Sequence, residues 1–340
     1  MLKLLQSIFA GRGGGEGSVH DERLLERATE YLVDATDPRL RVLSSYKRKL
    51  RAGVERAVEH AIRLGDAIDP VVELSRTAFG HDAKVRSLFA SPEHLEETLS
   101  ASMEIQQWLA RSNVPPATLY ALLVVNWEER HSFGMELDGD TVRRDVAQVT
   151  LNFADHRFPA AGGTEADARL EVKKRAYDLL VKAALARLVE QRSERQDLER
   201  ERLLLARKLK ELDGVHMGLA LEATPAGPQQ DSAAVEARIH EIEQALAHIR
   251  ADTATLDDQL ALIDDTLRSA PQILTLDSVS FVLDQRNVKR AAPNASTIRE
   301  VQYPLVRSGN RRAIVLMTKF PRAAVRPPAD MLAEMERYLR

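Results

Sequence analysis

Nine histidines, fifty-one carboxylates and no cysteine set the chemistry this chain can attempt. Without cysteine there is no thiolate ligand, no thiol nucleophile and no disulfide, which fits a reducing compartment. No pairing of histidine and carboxylate has metal-ligand spacing. His240 and His248 stand two helical turns apart, too far to share one ion from a straight helix. Glu128, Glu129, His131 and Asp155-His156 fall in segments expected to pair as strands. Glu128 and His156 would share a polar face but stand well apart along it. General-base work needs hydrogen-bond reach and a shifted pKa; ordinary sheet-surface residues explain the same pattern. Gly11, Gly13, Gly14, Gly15 and Gly17 lack the preceding strand and the Gly-Lys-Ser/Thr ending of a phosphate loop, and Glu16 would repel a phosphate. They read as a tether. The expectation is no metal, no cofactor and no catalytic residue.

Three clusters point instead to binding. Arg39, Arg41, Lys47, Arg48, Lys49 and Arg51 make a dense basic run. On a helix Lys47 and Arg51 share a face with Arg48 beside them, a candidate for phosphate or nucleic-acid contact. Glu55 and Glu59 offer the alternative of a balanced, solvated face, and the net charge of −3 gives no global attraction for a polyanion. Val215, Met217, Leu219 and Leu221 alternate behind Gly214, which suits a helix C-cap. They form a candidate protein-binding tip, with folding back on the helices as the alternative. Leu2, Leu5 and Phe9 line one side of a short helix and are candidates for peripheral membrane contact. Docking on the protein's own body is the alternative there.

The elements that must carry these clusters follow from periodicity. Val235, Ile239, Ile242, Leu246, Ile249, Leu256, Leu260, Ile263, Leu267 and Ala270 recur at spacings of three and four, broken by Thr253. Leu170, Tyr177, Val181, Ala184, Leu188, Leu198, Leu205, Leu209 and Leu212 do the same, interrupted by Lys174, Gln191, Arg195 and Arg202. Two such segments predict an antiparallel coiled-coil hairpin about 60 Å long at 1.5 Å rise per residue. The first helix is rich in bases and the second in acids, which favours their pairing.

Residues 21–111 read as about four helices, with Pro38, Pro70 and Pro92 each opening one behind an Asp or Ser cap. Alternation around Asp138-Gly139-Asp140 predicts a β-hairpin with Trp127 opposite Leu151 and Val125 opposite Phe153. Val279, Phe281 and Leu283 suggest a strand, and a second hairpin turns at Ser308-Gly309-Asn310. Pro304 places its first strand at an edge or a bulge.

The expected fold is α+β, mainly α: an N-terminal helical bundle and a small antiparallel sheet of about five strands, interrupted by the coiled-coil hairpin. The divisions are 1–18 (apolar helix and tether), 19–114 (helical bundle), 115–164 (first hairpin), 165–271 (coiled-coil insertion) and 272–340 (second half of the sheet and a C-terminal helix). With 44% hydrophobic and 29% charged residues over 340 positions, the chain can bury a core. The expected function is a non-enzymatic interaction or scaffold protein whose arm reaches a protein partner. The alternatives are an enzyme with a site on the polar sheet face, or a nucleic-acid-associated factor using helix 39–51. A homodimer is favoured slightly over a monomer. The expected location is the cytoplasm, with the inner face of the membrane as a peripheral site.

Overall fold

The structure is a computed structural model that describes residues 22–138, 141–218, 228–253, 256–290 and 298–327. Helix predominates, and six strands form one mainly antiparallel sheet, so the fold is α+β and mainly α. The chain divides into two compact units. One contains residues 58–179 together with the chain from 270 onward, and the other contains residues 22–57 and 180–269.

The first unit holds the sheet. Its strands are β1 (Val72–Glu73), β2 (Thr118–Asp138), β3 (Thr141–Gly162), β4 (Leu274–Leu283), β5 (Arg299–Ser308) and β6 (Arg311–Pro321). They run in the order β3-β2-β6-β5-β4, with β1 parallel to β6 at Val72 and Thr318. The β5–β6 hairpin turns at Gly309, whose φ of +55° is a conformation glycine adopts without a Cβ penalty. β5 is an inner strand in the sheet order, but the edge expected at Pro304 is present in its first half. It pairs with β4 along its whole length, but with β6 only from Leu305 to Ser308. The ladder to β6 stops beside Pro304, which has no N–H to donate. Pro70 departs from expectation. It follows a cis peptide bond and leads into β1 rather than into a helix.

β2 and β3 are 21 and 22 residues long. At about 3.3 Å per residue each spans roughly 70 Å. Only Thr118–Val125 of β2 pairs with β6, so the far half of β2 pairs with β3 alone. Trp127 lies opposite Phe153 and Glu129 opposite Leu151, two residues away from the expected register. One residue of the difference arises at the turn, where Asp138 pairs with Thr141. The other arises at a bulge where Arg144 and Asp145 oppose Met135. A shift of two preserves side-chain parity, so the apolar faces still meet. A second bulge sets Asp155 and His156 against Val125. Asp145 and Asp155 have φ of 58° and 54°, a region that Asp enters more readily than most residues.

Between the sheet's outer strands runs the segment 287–289. Leu151 N donates to Asn287 O at 2.9 Å, Lys289 N to Val149 O at 2.8 Å and Arg290 N to Val282 O at 2.9 Å. These bonds cover edges of β3 and β4 that would otherwise be open to other strands. Four short helices pack in the same unit: α3 (Arg76–His81), α4 (Ala83–Leu88), α5 (Pro92–Ala101) and α6 (Met103–Arg111). Each starts at a side-chain cap, namely Ser75, Asp82, Ser91 and Ser102. Their Leu88, Phe89, Leu95, Leu99 and Ile105 share one core with Leu123, Val125, Phe153, Phe281, Tyr303 and Ile314 of the sheet.

The second unit is helical. Helix α1 (Glu22–Ala35) buries Leu25, Ala28, Leu32 and Val33 on one face. A 3-10 turn at Pro38–Val42 begins at Asp37, which accepts from Arg39 N as the expected cap. Helix α2 (Tyr46–Asp66) places its residues up to 57 in this unit and buries Leu50, Val54 and Ala57 there. The two heptad-patterned segments form α7 (Glu165–Gly218), α8 (Pro228–Thr253) and α9 (Leu256–Arg268). α7 belongs to this unit from Leu180. It runs past Gly214, so that glycine does not cap it, contrary to the expected helix end.

Candidate functional site

Solvent exposure along α7 and α8 repeats with the heptad. Gln191, Arg195, Leu198, Arg202, Leu205 and Leu209 are half-buried, at alternating spacings of four and three. On α8, Val235, Ile242 and Leu246 are buried and Ile239 is half-buried. Arg238 Nε lies 3.0 Å from Glu201 Oε1 and ties the two helices together. This pair runs against the bulk trend, because the base comes from the acid-rich helix. Away from the half-buried row, α7 exposes apolar side chains. Leu203 is 55% and Leu204 64% exposed, and Val189 lies on the same side about four turns earlier. A flank beside Leu204 carries Glu190, Glu194, Asp197 and Glu201, and the bases Arg207, Lys208 and Lys210 follow further along the helix. Apolar residues set between opposite charges make a surface suited to another helix.

The basic run 39–51 is largely engaged with carboxylates. Lys47 Nζ lies 3.4 Å from Glu26 Oε1, and Arg51 grips Glu22 through two bonds of 2.6 and 3.0 Å. Arg41 reaches Glu30 and Asp34, and Lys49 reaches Asp257. Arg48 is exposed and, among the described residues, makes no ion pair. A phosphate approaching this face would have to displace carboxylates from Lys47 and Arg51. Arg39 and Arg192 both hold Asp37, whose side chain is 6% exposed, at 2.7 and 2.8 Å. The hydrogen bond from Arg39 is the leading cause that holds this carboxyl well below the usual range, and Arg192 adds to it.

Val215 and Met217 lie within α7, while Leu219 and Leu221 fall outside the described residues, as do Leu2, Leu5 and Phe9. Among the described residues no group of three or more His, Asp or Glu side chains has metal-binding geometry. No described helix is long and apolar enough to cross a membrane.

On the sheet, His156 does not meet Glu128. Its Nε2 sits 2.7 Å from Leu88 O and its ring stacks on Phe89, with centroids 4.9 Å apart. His94 meets the same ring edge-on at 5.5 Å. Burial pushes the His156 pKa down. With Nε2 facing a carbonyl, this imidazole packs as a neutral donor. Two features escaped the sequence reading. The far part of the β2–β3 ribbon exposes Phe133 and Met135. A small cleft beside α4 draws Arg86 and Arg299 together. Its residues come from three separated stretches, so only the fold unites them.

No known family matches the chain, and no curated protein or solved structure is significantly similar to it.

Proposed function

We propose that this chain is a non-enzymatic interaction protein, and that α7 and α8 form a coiled-coil arm whose outward face binds a protein partner. The observation that carries the reading is the exposure of Leu203 and Leu204 on the side of α7 away from the half-buried row. The heptad spacing of that row and the Glu201–Arg238 bridge support the coiled coil. Two large exposed apolar side chains, with Val189 in line, offer a partner helix about 1.5–3 kcal/mol each on full burial. The flanking change from acidic to basic charge would set the orientation of that partner. A second copy of the chain is the simplest partner, since its own α7 carries both charge blocks.

The test is affinity capture from native lysate with the full chain, run in parallel with Leu203→Glu/Leu204→Glu. Loss in the variant of proteins retained by the unaltered chain supports the reading. Identical retention by both, with helical content unchanged by circular dichroism, overturns it. Alanine at Val215, Met217, Leu219 and Leu221 separates a contact at the tip from one along the shaft.

A further inference from the structure

We propose that the cleft between α4, the end of β4 and the start of β5 binds a phosphate group. The cleft belongs to the sheet unit and is independent of the arm reading. Its lining includes the apolar Val301 together with Arg86, Arg299, Asp284, Gln285 and Asn287. The cavity measures about 40 Å³, room for about three water-sized oxygens. That suits the head of a phosphate and leaves any ester group outside.

The charge inside is positive. Among the described lining residues Asp284 is the one carboxylate, and its acceptor sites are taken. Its Oδ1 receives Arg286 N at 2.8 Å and Val288 N at 3.0 Å. Its Oδ2 receives Arg290 Nε at 3.2 Å and the Arg290 terminal amine at 3.0 Å. Arg290 thus neutralises Asp284 and leaves the two remaining guanidiniums uncompensated. Among the described residues the Arg86 side chain gives one hydrogen bond, to Gly80 O at 2.7 Å. Arg299, among the described residues, makes no ion pair. A guanidinium presents five donors in a fixed fork, so both arginines retain donors for an oxyanion.

The walls are held in place by the fold. Asn287 Nδ2 donates to Ser87 O at 2.7 Å, which ties the turn after β4 to the end of α4. Ser87 Oγ is hydrogen-bonded to the buried Tyr303 hydroxyl. Leu283 pairs with Arg299 across β4 and β5, which fixes the main chain from which that arginine extends. Two guanidiniums set on walls held by the fold are an arrangement that captures a small dianion by bidentate contacts.

Isothermal titration of the full chain with inorganic phosphate and with glycerol phosphate, against sodium chloride at matched ionic strength, tests the site. Saturable phosphate binding is expected, weakened about tenfold or more in Arg299→Gln and in Arg86→Gln, because each loses charge-assisted bonds. Arg322→Gln, an exposed arginine outside the cleft, should bind as the unaltered chain does. Binding of both ligands supports a site for free or esterified phosphate. Binding of glycerol phosphate alone supports an esterified ligand. No saturable binding of either, or equal binding by Arg299→Gln, Arg86→Gln and Arg322→Gln, overturns the proposal.

Discussion

The main-chain N–H of Gly53 donates to Asp264 Oδ1 at 2.8 Å, and the other oxygen of that carboxylate takes Arg268 Nε at 2.6 Å. Glycine is required here by proximity. A Cβ at position 53 would fall 2.6 Å from Asp264 Oδ1 and 2.8 Å from the Asp264 main-chain oxygen. Both are closer than van der Waals contact, and a backbone atom cannot swing away as a side chain can.

Gly53→Ala is therefore expected to destabilise the helical unit. Alanine gains about 1 kcal/mol over glycine in helix propensity. Forcing α2 and α9 apart costs about 1–3 kcal/mol and removes the buried bond to Asp264 as well. Thermal unfolding of the full chain should show a lower Tm for the variant. An unchanged or higher Tm would mean that the helices separate at little cost.

Asp37 should make stability acid-sensitive. Its folded pKa is depressed, chiefly by the Arg39 hydrogen bond, so its contribution is fully present above the unfolded value of about 3.9. That contribution is lost as pH falls from there through the folded pKa. Asp37→Asn is expected to cost about 1–3 kcal/mol at neutral pH. The gap from the unaltered chain should narrow between pH 4 and pH 2. Denaturant unfolding across that range measures it, and a constant gap would remove Asp37 as the cause.

His156 acts with the same sign at a higher pH. Burial lowers its folded pKa, and His94 opposes its charge while Asp155 favours it. The unfolded chain therefore binds the proton more readily, and stability falls as pH drops through the unfolded value of about 6.5. In His156→Gln the part of the Tm decline between pH 7.5 and pH 5.5 that comes from this imidazole should vanish. An identical Tm-against-pH slope in both proteins would count against the assignment.

The bulge at Asp155 offers a test of backbone geometry. Its φ of 54° and the bond from Asn126 Nδ2 to its Oδ2 at 3.1 Å fit Asp or Asn. Asp155→Asn should be nearly neutral. Asp155→Val should cost about 1–3 kcal/mol, because a β-branched residue is strained in the left-handed region. If the two substitutions unfold at the same denaturant concentration, the positive φ is not a constraint.

Periodicity carried the parts of this fold that repeat. Leu198, Leu205 and Leu209 on α7, and Val235, Ile242 and Leu246 on α8, were legible because burial follows a fixed spacing over several turns. The β5–β6 turn was legible because Ser308-Gly309-Asn310 concentrates turn residues. The long ribbon's register was not, since each bulge adds one residue without disturbing the alternation around it. The pairing of the 39–51 bases with α1 was also hidden. Glu22 and Glu26 lie 29 and 21 residues from Arg51 and Lys47, and only folding brings the two faces together. The phosphate cleft is the extreme case, assembled from residues 86, 284–287 and 299 with no local signature.

Site-specific photo-cross-linking at position 204 addresses the arm most directly. A photoreactive residue replaces Leu204 in the full chain, with the same residue at buried Ile242 as the comparison, and both are irradiated in native lysate. The arm account predicts a product heavier than the single chain from position 204, containing a second copy or another protein, and none from position 242. Equal yields from the two positions, or no intermolecular product from position 204, would contradict it.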